Sequence, residues 1–337
     1  MGEHRKNFLA DGRYLKQYAK VMDSQINYYH SYKPRIPYPY RELFLDNGAY
    51  TALRKNVNLD PERVKQVQEA LHPDKTIPLD FPFNTGLSRK LMMKRWNKTK
   101  KNIVDWQETT SLRELVPALH AWSIRSLKEN VKWLQKNADA NFVAVGSIVL
   151  SSAFGSYTFF GDRYPTRAYI DMILHTVLQV RSQSDFGIHM MGFGSSPLML
   201  HMGYFCGIDS TDSAGYRRGA AYGKIILPGR GWRYIGKLKE SFGIPKLSKE
   251  ERCVLINCKC PACKQDPKLL KRDWKARAVH NKFVLEKERD VAMQLLEQGR
   301  DYYERYLDRV FERSSLRAIW TNTKIRVRAL GIDRLVA

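Results

Sequence analysis

The chain is poor in cysteine, in acidic residues and in long apolar runs. Five cysteines in 337 residues exclude a disulfide scaffold. No apolar stretch approaches the roughly 20 residues needed to cross a bilayer. The opening MGEHRKNFLADGRY lacks the apolar core of a secretion signal. It also has Lys6 where a myristoylation signal requires Ser or Thr. These absences lead us to expect a soluble, cytoplasmic protein that avoids membranes. Acidic residues number 34 against 57 Lys and Arg, a formal net charge of +23. So large an excess points to a polyanionic partner, because clustered Lys and Arg release counterions from nucleic-acid phosphates.

What is present is a strand–helix alternation. Short β-rich runs occur at 43–50, 76–83, 115–122, 142–149, 186–194 and 207–215, with INYYHSY (26–32) as a further candidate. Helical patterns lie between them. LDPERVKQVQEALH (59–72) offers Asp60 as N-cap and Pro61 at the first helical position. In 123–138, Ile124, Leu127, Val131 and Leu134 fall at helical spacing, and 164–182 behaves likewise. The alternation predicts a parallel α/β fold, and its count and length favour a (β/α)8 TIM barrel. Polar residues recur at the strand ends: Asp46, Asn47, Asp80, His120, Ser147, Asp209 and Asp212. One such Asp is ordinarily a turn or cap residue, but strand C-termini in a barrel converge on one face, where several together make a site. The last third is charge-dense and helical. No repeat or low-complexity segment accompanies it.

Three of the five cysteines, Cys258, Cys260 and Cys263, lie within six residues in LINCKCPACKQDP. Thiolates this close can face a common centre, and a tetrahedral ion needs a fourth ligand from elsewhere. His280, separated from Cys263 by sixteen residues, supplies it in our reading. Four protein ligands leave no open position, so we expect a structural zinc site; an iron–sulfur cluster would ordinarily take four cysteines. Cys206 and Cys253 are expected to be small buried hydrophobes. His72, His175, His189 and His201 are scattered, and no His-x-His or carboxylate cluster ends the strands, which argues against a barrel metallohydrolase.

The cysteine cluster followed by His-Asn on a long helix, after a βα barrel, resembles the tRNA-guanine transglycosylase family. Five more segments match in order: LFLDNGAY, PLDFPF, the Trp-containing basic helix SRKLMMKRWNKTKKN, MMGFGSSP and GIDSTDSAGYRRGAAYG. The matches run from about residue 40 to 290. The resemblance implies a barrel body over 1–250, an inserted zinc-binding subdomain over 251–285 and a C-terminal helical region over 286–337. It implies exchange of a guanine base in nucleic acid for a 7-deazaguanine such as preQ0. Carried over position by position, it makes Asp212 the nucleophile on the sugar and Asp46 the general acid/base. Asp80 would bind the guanine pyrimidine edge. Gly146 and Ser147 would supply backbone contacts to the base, and Tyr50 with Met191 would sandwich it. Asn47 and His120 are expected at the base as well. Arg217, Arg218 and the basic helix with Arg89, Lys90, Lys94 and Arg95 are expected to contact phosphates.

The chain departs from the family pattern in several places. Asn47 replaces a Ser, His120 replaces a Gln, the stretch from Cys263 to His280 is short, and SAGYRR replaces Pro-Thr-Arg. These features and the high charge resemble the divergent DpdA-type branch, which modifies DNA in phage or genomic-island settings. We therefore expect DNA as substrate ahead of tRNA, in a host cytoplasm if phage-encoded. The resemblance allows a homodimer and a helicase or ATPase partner. The competing expectation is a non-catalytic, zinc-stabilised nucleic-acid-binding protein, against which Asp46, Asp80 and Asp212 stand intact.

Overall fold

The computed structural model describes residues 20–24, 42–83, 87–146, 150–151, 156–159, 162–236 and 244–332. Ser147 and the candidate strand at 26–32 lie outside the described residues. The chain divides into two units, Met1–Met191 and Gly192–Ala337.

The first unit begins with β1 (Lys20–Ser24), β2 (Glu42–Asp46), α1 (Ala49–Lys55), α2 (Pro61–Leu71), β3 (Lys75–Thr76) and α3 (Arg89–Thr109). It continues with β4 (Ala118–Leu119), α4 (Ile124–Asn137), β5 (Phe142–Val145), an antiparallel set β6 (Leu150–Ser151), β7 (Ser156–Phe159) and β8 (Asp162–Pro165), then α5 (Thr166–Arg181) and β9 (Gly187–Met190). Strands β1, β2 and β3 pair in parallel, as do β4, β5 and β9. A parallel bridge between Thr76 and Leu115 joins the two sets. The spatial order β1-β2-β3-β4-β5-β9 therefore follows the chain, and the intervening helices are crossovers. The sheet also curls. β2 and β9 are four strand spacings apart, about 19 Å if flat, yet the Phe44 and His189 rings lie 4.7 Å apart.

Local chemistry sets these elements. Asp60 caps α2 by accepting from the Glu62 amide at 3.2 Å, Pro61 opens it, and Val64, Val67 and Leu71 are its buried face. Ser123 and Ser126 form a capping box at the start of α4, whose Leu127, Val131 and Leu134 are buried. Strand β3 is short because Pro78 and Pro82 interrupt TIPLDFPF. The irregular 77–83 segment is instead held from the side by α3. Asn102 Nδ2 donates to the Leu79 carbonyl (2.7 Å), the Phe81 amide donates to Thr99 Oγ1 (3.0 Å), and the Arg95 guanidinium donates to the Pro82 carbonyl. Below it, Trp106 Nε1 donates to Gln68, whose amide donates to the Ile77 carbonyl, so the buried polar groups there are satisfied.

The second unit contains α6 (Pro197–Phe205), β10 (Ser210–Thr211), α7 (Gly215–Ala221) and a hairpin of β11 (Lys224–Leu227) and β12 (Gly231–Tyr234). Six helices follow: α8 (Lys249–Ile256), α9 (Pro261–Gln265), α10 (Leu269–Arg272), α11 (Trp274–Glu297), α12 (Arg300–Phe311) and α13 (Arg317–Ala329). Helix α11 is the hub and packs against α6, α7, β11, α9, α10 and α12. His201, fully buried, is held by Tyr303 (2.8 Å) and Glu288 (2.9 Å), and Glu288 also accepts from the Gly229 amide. Its imidazole thus links α6 to α11 and α12 inside this unit. Cys206 is buried, and burial pushes its thiol up to about 12. Cys253 is exposed, contrary to expectation, because it lies on the solvent face of α8.

Candidate active site and metal centre

In the first unit, several sequence-predicted residues meet at the C-terminal ends of the parallel strands. Asn47 follows β2, Asp80 lies in the segment after β3, His120 follows β4, Gly146 follows β5 and Met191 follows β9. Asp80 is only 4% exposed, and two donors hold its carboxylate. Asn47 Nδ2 donates to Oδ1 at 2.8 Å, and His120 Nε2 sits 2.7 Å from Oδ2. The His120 carbonyl accepts from Asn130 at 2.8 Å, and its ring packs on Phe83 and Trp96. Gly146 permits this arrangement, because a Cβ there would come within 2.8 Å of His120 Cε1. The same hypothetical Cβ would sit 3.5 Å from the Met191 sulfur, so Met191 lies on the same wall. The Gly146 amide itself donates to the Leu119 carbonyl. Asp46 and Tyr50 are half-buried at the β2–α1 junction, flanking this group.

The basic residues sort by exposure. Arg89, Lys90 and Lys94 are exposed on α3. Arg95 is half-buried on the Pro82 carbonyl, and burial lowers its guanidinium from its ordinary value. It therefore clamps the Asp80 segment in this structure. Lys98 and Lys101, in the same basic helix, extend the exposed face.

In the second unit, Asp212 follows β10 and accepts from the Gly192 amide at 2.7 Å. Gly192 adopts φ 70°, a conformation suited to glycine. Thr211 Oγ1 donates to the Phe193 carbonyl at 2.7 Å, so the 192–196 and 209–215 loops are laced together around this carboxylate. Arg217 is half-buried and Arg218 exposed on α7.

The unit also contains the candidate metal centre. The donor atoms of Cys258, Cys260, Cys263 and His280 lie within 4.8 Å of one another. His280 Nδ1 is 3.6, 3.6 and 3.5 Å from the three sulfurs. A tetrahedral ion bonded at about 2.3 Å to sulfur and 2.0 Å to nitrogen would set these separations near 3.5 Å, so the four donors fit. The other ring nitrogen, Nε2, donates to the Ile226 carbonyl at 2.9 Å, which fixes the tautomer and turns Nδ1 toward the sulfurs. Burial would lower the His280 imidazole, but hydrogen bonds and charge from Cys258 and Cys260 outweigh it and raise it to about 9. That electron-rich cage is the setting a metal cation favours. Asn281, next in the chain, accepts from the Ile226 amide at 2.8 Å and donates to the Tyr216 and Lys224 carbonyls. His280 and Asn281 thus grip both backbone groups of Ile226.

Comparison with known proteins decides the family. Residues 49–300 match the family model described as queuine tRNA-ribosyltransferase (TGT). The chain belongs to the TGT family. No match emerges among curated proteins. TGT membership makes it a pentosyltransferase that exchanges guanine in nucleic acid. The matched motifs lie inside the aligned span except LFLDNGAY, of which Ala49 and Tyr50 fall within it and Asp46 and Asn47 precede it. The family's frame supports the mixed α/β fold and a metal site at Cys258, Cys260, Cys263 and His280. Among the described residues, no helix is long and apolar enough to cross a membrane. Sequence reasoning missed Asn130, which carries the His120 backbone; its one signal was an Asn on the apolar stripe of α4.

Proposed function

We propose that this TGT-family chain exchanges guanine in DNA for a 7-deazaguanine of preQ0 type through a covalent aspartyl–sugar intermediate. The observation that carries the reading is a buried, doubly held Asp80 carboxylate in a family member that retains Asp46 and Asp212. Guanine presents two adjacent donors, N1–H and the 2-amino group, and a carboxylate is their natural acceptor.

In this mechanism Asp212 attacks C1′ as the C1′–N9 bond breaks, and the bonding pair departs with guanine. Asp46 delivers the proton that the departing base needs. The incoming base then gives its N9 proton to Asp46, attacks C1′ and displaces Asp212. Two displacements on one carbon retain its configuration. Asp80 orients both bases, Tyr50 and Met191 enclose them, with Gly146 and Ser147 alongside. Arg217 and Arg218 grip flanking phosphates, and the exposed face of α3 provides further cations. Cys258, Cys260, Cys263 and His280 would hold a structural zinc ion that ties α9 to α11 and β11. The curled parallel sheet supports closure into an eight-stranded barrel.

The preference for DNA rests on Asn47, His120 and SAGYRR, which resemble the DpdA-type branch. The family's description as a tRNA enzyme favours a second reading, the same exchange on tRNA. Nucleoside mass spectrometry of DNA and tRNA from cells with and without the gene separates them. A gene-dependent 7-deazaguanine in DNA supports the proposal; one confined to tRNA replaces it with the second reading; none in either refutes both.

A further inference from the structure

Two residues that set this chain apart from its family's pattern, Asn47 and His120, converge on one carboxylate. We infer that Asn47 and His120 are positioning residues that fix Asp80, and that neither reads the base itself. The inference rests on the proposed role of Asp80 as acceptor for the guanine edge.

The argument is a count of donors and acceptors. Asn47 is 1% exposed. Its two Nδ2 hydrogens go to the Pro78 carbonyl and Asp80 Oδ1, both at 2.8 Å, and its Oδ1 accepts from the Ala49 amide at 2.8 Å. It has no N–H left for a ligand. The His120 side chain has no exposed surface. Its Nε2 is engaged with Asp80 Oδ2, its ring is covered by Phe83 and Trp96, and its Cε1 edge abuts Gly146. Asp80 behaves differently. A carboxylate offers about four lone-pair positions. Asn47 and His120 occupy one on each oxygen, which leaves one on each oxygen for a ligand with two adjacent donors. The residual acceptor pattern matches N1–H and the 2-amino group. Gly146 belongs to the same device, since any side chain there would drive the imidazole off Asp80.

The test is steady-state incorporation of radiolabelled guanine into guanine-containing DNA and tRNA, with hypoxanthine and 6-thioguanine as competitors. Hypoxanthine lacks the 2-amino group and reports on the Asp80 edge. 6-Thioguanine keeps that edge and reports on position 6. His120→Leu should raise the KM for guanine about tenfold to a hundredfold, the worth of one hydrogen bond to a charged group, with kcat changed much less. It should narrow the preference for guanine over hypoxanthine and leave the guanine to 6-thioguanine ratio unchanged. His120→Gln, whose amide can donate to Oδ2, should recover most of the lost discrimination. Gly146→Ala should reproduce the His120→Leu pattern and should cost less than twofold more when added to His120→Gln. A His120→Leu enzyme that changes only the 6-thioguanine ratio would show that His120 reads position 6 and would overturn the inference. So would unchanged discrimination in both His120→Leu and Gly146→Ala while the wild-type enzyme is active. A wild-type enzyme inactive on both polymers would instead refute the base-exchange reading and this inference with it. Thermal melts of each variant show whether a loss is one of folding.

Discussion

Asn281→Ala should loosen the metal centre without touching a ligand. The fully buried Asn281 side chain makes three hydrogen bonds: from the Ile226 amide at 2.8 Å, and to the Tyr216 and Lys224 carbonyls at 3.1 and 3.2 Å. Its removal leaves the buried Ile226 N–H without a partner, at about 1–3 kcal/mol. The two carbonyls belong to partly exposed residues, so water replaces some of their loss. The total is about 2–4 kcal/mol, a fall of roughly 5–10 °C in Tm. Because the Ile226 carbonyl orients His280, metal affinity should also fall, by about 10–100-fold. Asn281→Asp keeps the acceptor for Ile226 but sets a carboxylate against two carbonyls, and should be no more stable than Asn281→Ala. Gln294→Ala, exposed on the same helix, should change stability by less than about 0.5 kcal/mol. Chemical denaturation and a competitive chelator titration read both effects. An Asn281→Ala protein within about 0.5 kcal/mol of wild type, with unaltered metal affinity, would refute the reasoning.

Cys260→Ser should lower metal content and Tm first, with activity lost as a consequence; a stable, active, metal-free variant in metal analysis and assay would contradict a structural ion. Replacing Lys90, Lys94, Lys98 and Lys101 together by Gln should lower the slope of log affinity against log salt by about 0.9 per lost contact on duplex DNA, read by fluorescence anisotropy. Arg95→Gln should cost stability and leave that slope nearly unchanged, since its guanidinium is bound to the Pro82 carbonyl. Burial raises Glu286 to about 7 against the pull of Lys282 and Arg289, and its Oε2 has no hydrogen-bond partner among the described residues. The folded protein therefore keeps a proton that the unfolded chain releases near 4.5. Its contribution to stability falls as pH rises from about 4.5 to 7, by up to about 3 kcal/mol, and is flat above. Glu286→Gln should raise Tm more at pH 8 than at pH 5, and equal shifts would contradict the raised carboxyl.

The sequence was most legible where the signal is local. Asp60-Pro61 marked the start of α2, the apolar stripe of α4 was visible, and the spacing of Cys258, Cys260 and Cys263 pointed to the cluster of donors that could hold a metal ion. It was least legible where partners are distant. Nothing near Asp80 says that Asn47 and His120, 33 and 40 residues away, will hold it. Nor does the neighbourhood of His280 reveal the Ile226 carbonyl, 54 residues back. Strand β1 went unnoticed because KVMDS has only two apolar residues, and backbone pairing with β2 defines it. The run at 76–83 promised a longer strand, but β3 ends at Thr76 because Pro78 and Pro82 remove ladder donors. Arg95 looked like its cationic neighbours; the step of about 100° from Lys94 to the next residue of the helix turns it inward.

The central claim is that Asp212 becomes covalently joined to the sugar as guanine leaves. Purified protein should be incubated with guanine-containing DNA and, separately, tRNA, denatured, and digested for peptide mass spectrometry. The account predicts a denaturation-resistant adduct on the peptide containing Asp212, displaced by added guanine or 7-deazaguanine, and absent from a folded Asp212→Asn variant that no longer exchanges base. Wild-type levels of exchange in Asp212→Asn, or an adduct on another residue, would contradict it.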